Sequence, residues 1–136
     1  MTVIVSIEDR GGMLFLKRRV SKDRLLTDDI AKTVGDGVLY VSDFSEELFS
    51  ESNVSVLCVP NPLDAAGKDD FVFVENMEIK NYTDKIDRLI IYKWNRKYPF
   101  DFSLDIVPAE CGFSLSESCD FKGYSHEKIT KEIYVK

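Results

Sequence analysis

The run at residues 88–94, Arg-Leu-Ile-Ile-Tyr-Lys-Trp, is apolar at consecutive positions rather than at every second one. A half-buried strand alternates apolar with polar residues, so a short β-branched and aromatic run of this kind reads as a strand covered on both faces. Such a strand needs neighbours on both sides and helices above and below. The apolar runs at residues 2–7 and 71–74 are the neighbours expected.

The remaining pattern extends that picture along the chain. Glu8-Asp-Arg-Gly-Gly12 reads as a turn, because paired glycines accept positive φ without steric cost. Residues 13–16 fit either a second strand or a loop returning over the sheet. From Ser21 the period lengthens: Leu25, Leu26 and Ile30 fall at helical spacing, Ser21 can cap and Gly35 can stop. The spacing predicts a helix over 21–33. A strand at 37–41 follows, then a short helix through Phe49 capped by Ser42 or Asp43, with Glu46 and Glu47 in its first turn. The strand at 54–58 ends at Pro60 and Pro62, since proline cannot donate to the ladder. A helical turn at 63–66, a strand at 71–74 and a weak helix or turn at 77–86 lead to the central run. Two alternating stretches, 112–117 and 129–135, predict an antiparallel hairpin whose connection holds residues 123–127. The order predicts one α/β domain over 1–136, a mixed sheet with helices on both faces.

Composition narrows the function classes. A chain of 136 residues, 44% hydrophobic, buries roughly two thirds of its unfolded surface and needs no disulfide or metal to hold a core. Cys58, Cys111 and Cys119 form no C-x-x-C pair, so free thiols in a reducing compartment are expected. No apolar run approaches the roughly 20 residues that cross a bilayer, and the first residues lack a basic leader. A cytoplasmic location and no membrane partner are the expectation. Twenty-four acids against eighteen bases give a net charge of −6, the wrong sign for a phosphate backbone, so no nucleic-acid partner is expected. Lys17, Arg18, Arg19, Lys22 and Arg24 nevertheless crowd within eight residues.

Several strings resemble dihydrofolate reductase. Residues 5–13 are similar to that family's first strand and the Asp-Arg…Gly-Met loop after it. Val20-Ser-Lys-Asp-Arg-Leu25 stands where the family has Leu-Pro-x-Asp-Leu, which makes Asp23 the residue matching its catalytic acid at the pterin. The 71–91 unit and the terminal hairpin match in length. The resemblance implies the reductase fold and, in an intact member, NADPH as cofactor. Two departures bear on that cofactor. The family's Gly-Arg-x-Thr, which holds NADPH phosphates, is replaced by Ser42-Asp43-Phe44-Ser45. Its Gly-Gly pair, which lets backbone approach the diphosphate, is replaced by Val74-Glu75-Asn76. The chain also resembles small bacterial proteins that carry Gly-Gly-Met, Arg-Arg-x-Ser-x-Asp and Ser-His-Glu-Lys-Ile-Thr strings, a likeness that implies no activity.

Candidate chemistry concentrates near the first helix. Arg18, Arg19 and Lys22, with Gly12 and Met13 alongside, could hold an anion at a helix N-terminus; alternatively Asp23 pairs with Arg19 or Arg24 in a solvated loop. His126 between Ser125 and Glu127 suggests a nucleophile and base, although a turn histidine fits as well. With one histidine the chain has too few ligands for a dinuclear zinc nuclease, and no metal is expected. The aromatics Tyr92, Trp94, Tyr98, Phe100 and Phe102 suit either a ligand shelf or strand-end packing. The leading expectation is a non-catalytic small-molecule-binding or interaction module without cofactor, taking an anionic small molecule near Arg18, Arg19, Lys22 and Asp23. The competing expectation is a divergent NAD(P)H-dependent reductase with Asp23 at the substrate; a partner-dependent regulator is a third. A homodimer through the terminal strand stays open.

Overall fold

The computed structural model describes residues 1–136. Strands β1 (Thr2–Ile7), β2 (Gly12–Phe15) and β3 (Arg18–Arg19) precede helix α1 (Arg24–Val34). Then come β4 (Val38–Val41), α2 (Asp43–Glu46), β5 (Ser55–Cys58), α3 (Pro62–Ala65) and β6 (Phe71–Phe73). The chain closes with β7 (Arg88–Lys93), β8 (Phe102–Ser103), β9 (Ser114–Phe121) and β10 (Ile129–Val135). Seven strands form the main sheet in the order β5-β4-β6-β1-β7-β10-β9, with β10 antiparallel to both its neighbours. Strands β3, β2 and β8 make a small second sheet. The mixed α/β architecture with its terminal antiparallel pair is the one the pattern predicts.

Strand β7 is central and buried on both faces. On one face Leu89 and Ile91 pack with Val3, Val5, Leu63 and Phe113. On the other, Ile90 and Tyr92 meet Ile4, Leu39, Phe49 and the α1 residues Leu26, Ile30 and Val34. Burying each of those α1 side chains contributes about 2 kcal/mol. Tyr92 also donates its hydroxyl to Asp29 of α1 at 2.6 Å, while Lys131 of β10 reaches the same carboxylate at 2.9 Å.

Two expectations need correction, and one question the sequence leaves open is answered. The neighbours of β7 are β1 and β10, and the 71–74 run lies instead between β1 and β4. Parallel strands pair through crossovers, so their order is not set by apolarity. Helix α1 starts at Arg24 with Asp23 as its cap, not Ser21; the Asp23 carboxylate accepts the Leu25 N–H at 2.9 Å. The terminal strand β10 is interior, and β9 forms the sheet edge. The thiols of Cys58, Cys111 and Cys119 are free. No helix is long and apolar enough to cross a membrane.

Candidate functional site

In parallel sheets ligands collect at the carboxyl edge of the strands. Here β1, β4, β6 and β7 run into that edge and deliver Glu8, Ser42, Glu75 and Trp94 close behind their last residues. Glu8 is spent on its own turn. Its buried carboxylate accepts the N–H groups of Arg10 at 2.6 Å and Gly12 at 2.8 Å. Burial opposes its ionisation, but those bonds, with the Tyr98 N–H, hold the carboxyl below its ordinary range.

Glu75 follows β6 and is buried. Arg19 of β3 grips it with two parallel bonds, Nε to Oε1 at 2.8 Å and a terminal guanidinium nitrogen to Oε2 at 3.0 Å. The Ser45 hydroxyl of α2 donates to Oε2 at 2.6 Å. The same guanidinium lies over the Phe44 ring, 5.3 Å from its centroid, and donates to the Phe44 carbonyl. A bidentate, partly desolvated pair of this kind is rigid. The two carboxylate oxygens already have their donors, and the nearest cation is neutralised. Ser42, Asp43, Ser45 and Glu75 therefore do not fit a dinucleotide's diphosphate, which needs free positive charge where this site has acids and a neutralised arginine.

Asp23 and His126 form the second buried cluster, with side chains 0% and 4% exposed. One Asp23 oxygen accepts the N–H groups of Leu25 at 2.9 Å and Tyr124 at 2.8 Å. The other accepts the Ser125 N–H at 2.9 Å and faces His126 Nδ1 at 2.8 Å. Burial alone would raise the Asp23 carboxyl, yet the Tyr124 N–H, His126 and the Ser125 and Leu25 N–H groups hold it far below the usual carboxylate range. The loop that brings His126 can approach this closely because Gly123 lacks a side chain: a Cβ there would sit 2.7 Å from the Asp23 carboxylate. On its other nitrogen His126 meets Ser21 Oγ at 2.9 Å and the Tyr98 hydroxyl at 3.2 Å. The Trp94 ring covers the imidazole, centroid to centroid 4.6 Å.

Beside Asp23 an open groove of ≈ 620 Å³ runs between the start of α1, the 3₁₀ turn Glu47–Phe49 after α2, and the loop before β10. Lys22 and Arg24 stand on one wall, Glu47 and Glu51 on the other. Arg24 stacks over Tyr124 at 4.8 Å.

Of the residues singled out in sequence, Arg19, Lys22 and Asp23 reach this groove. Arg19 does so already paired with Glu75, and Asp23 pairs with His126 rather than with Arg19 or Arg24. Arg18 is exposed and lines a different, smaller groove with Phe15 and Tyr98. Gly12 and Met13 do not reach the site: Met13 packs in the core, and a Cβ on Gly12 would lie 2.4 Å from Phe100. Phe100 thus packs on the β2 backbone, while Tyr92 and Trp94 are buried in the core. The histidine is buried against Ser21, a partner that its chain neighbour Ser125 does not signal. The roles of Glu75 and Ser45 as a clamp for Arg19 were missed as well. A lone acid directly after a buried strand was the available signal, since a buried carboxylate requires a partner.

No family model and no curated protein sequence matches the chain. Among solved structures it is similar to dihydrofolate reductase from Enterococcus faecalis complexed with NADP(H) and RAB-propyl. The TM-score is 0.70 at 8% identity, covering 99% of this chain and 95% of that one. Sequence is nearly lost between the two while the path of the backbone is kept: the chain has a dihydrofolate-reductase-like fold.

Proposed function

We propose that this protein is a small-molecule-binding domain on a reductase-like fold that has given up dinucleotide-dependent reduction. The observation that carries the reading is the Glu75 carboxylate, buried and clamped by Arg19 and Ser45 behind β6. An incoming diphosphate would meet fixed negative charge and no free cation. The ligand is an anionic small molecule in the groove beside α1, held by Lys22 and Arg24, the two cations of that groove that have no carboxylate partner.

The competing reading, an NAD(P)H-dependent reductase with Asp23 at the substrate, has the fold in its favour. Against it stands the hydrogen-bond load on Asp23, which leaves neither oxygen free for a pterin. Thermal unfolding with NADPH, with folate-like pterins and with simple di- and tricarboxylates separates the two. A ligand at 100 times its dissociation constant stabilises by about 2.7 kcal/mol, a readily seen shift. The binding reading expects no shift with NADPH and a shift with a carboxylate ligand that Lys22→Ala with Arg24→Ala removes. Stabilisation by NADPH, or its oxidation with turnover, would overturn it.

A further inference from the structure

The relay Ser21–His126–Asp23 is not needed to bind a ligand in the groove. We infer that Ser21 is an acyl-accepting nucleophile, with His126 as its general base and Asp23 as the carboxylate that orients the base, acting on small esters with an apolar acyl group. This goes beyond the binding reading and does not depend on it.

Geometry supports each role. Ionised Asp23 can only accept, so the proton between it and His126 sits on Nδ1 and leaves Nε2 as the acceptor. The Ser21 hydroxyl then donates to Nε2 at 2.9 Å, and the carboxylate holds the opposite nitrogen at 2.8 Å. That is the spacing expected of nucleophile, base and orienting group, recognised by geometry and not by chain order. The imidazole cannot swing, because Trp94 covers it and Asp23 is fixed by three backbone N–H groups. The Tyr98 hydroxyl approaches both the same Nε2, at the longer distance of 3.2 Å, and Ser21 Oγ, at 3.4 Å.

Ser21 is partly exposed, and its chain neighbours on either side line two different openings. Lys22, Asp23 and Ser125 line the groove on one side. Val20 and Tyr98 line the other, a cleft of ≈ 500 Å³ in which Phe15, Leu16 and Pro99, beside Arg18 and Arg19, offer apolar surface to a short acyl chain. The N–H groups of Lys22 and Asp23 have no partner in the protein, so donors for a developing oxyanion directly follow the nucleophile. In the reaction Ser21 Oγ bonds the acyl carbon as its proton passes to Nε2, and the carbonyl pair moves onto oxygen. Collapse breaks the ester C–O bond, and the alcohol leaves with the proton from Nε2. Water then repeats the sequence on acyl-Ser21 and releases the carboxylic acid, so that ester and water give acid and alcohol.

The test is a fluorophosphonate, whose fluoride the serine oxygen displaces, followed by intact-mass and peptide analysis of the folded protein. One adduct on Ser21 is expected, absent in Ser21→Ala and slowed about 100-fold or more in His126→Gln. No adduct, an adduct elsewhere, or equal labelling of Ser21→Ala overturns the assignment. Because His126→Gln removes a buried group, Ser21→Cys supplies an independent measure by thiolate absorbance. A thiol facing this base titrates at least about one unit below the free value of ~8.5. Titration at or above that value would show that His126 does not act on this position.

Discussion

Asp23 concentrates more of the structure than any other side chain at the site. It closes the N-terminus of α1, ties down the loop before β10 and fixes His126, all with one carboxylate. The matching acid in the resembling family serves a substrate; this one is enclosed by donors from its own chain. Replacing it with Asn keeps the size but turns an acceptor into a donor opposite N–H groups. Breaking a buried charge network of this kind costs about 3 kcal/mol. Urea unfolding of Asp23→Asn at neutral pH is expected to show that loss with an unchanged slope. A loss under about 1 kcal/mol, the range of a simple cap, would mean that the bonds to the loop contribute little.

Between elements, the Arg19–Glu75 pair does for β3 what Asp23 does for α1. Strand β3 is only two residues long and pairs in the small sheet, so its own ladder holds it weakly. The guanidinium fork fastens it to the end of β6 in the main sheet and, through Ser45, to α2. Three elements therefore meet at one carboxylate where the resembling family keeps backbone bare. Glu75→Gln retains the shape but removes the charge. With Arg19 24% exposed, water relieves part of the loss, and about 2 kcal/mol of destabilisation is expected. Hydrogen exchange is the sharper measure: amides of residues 18–20 and 43–46 should lose protection together. If only one segment loosens, the clamp does not couple them.

Across the whole molecule, local pattern exposed the elements while the contacts between them stayed hidden. The run at β7 revealed a strand covered on both faces, because burial of consecutive residues leaves a trace in sequence. Helix α1 was placed to within three residues at its start, the error arising because Ser21 and Asp23 are both good caps. The partners of Glu75 and Asp23 left no local trace: Arg19 and Glu75 are 56 positions apart, Asp23 and His126 are 103 apart. Carboxylates held ionised by N–H groups of the folded chain make the acid limb of stability a property of the whole fold. Asp23 and Glu8 both have folded values below their ordinary ones of 3.8 and 4.5. Below about pH 5 the unfolded chain therefore binds protons that the folded chain refuses, and stability falls as pH falls. Above that range both groups are ionised in either state and contribute no slope. Each such group adds at most about 1.4 kcal/mol per pH unit. Urea midpoints measured from pH 7 to pH 3 should be flat at first and then fall, and Asp23→Asn should fall less steeply because the carboxyl held furthest below its ordinary value is gone. An acid limb of equal steepness in both proteins would mean that Asp23 titrates alike folded and unfolded, which its enclosure by five donors does not allow.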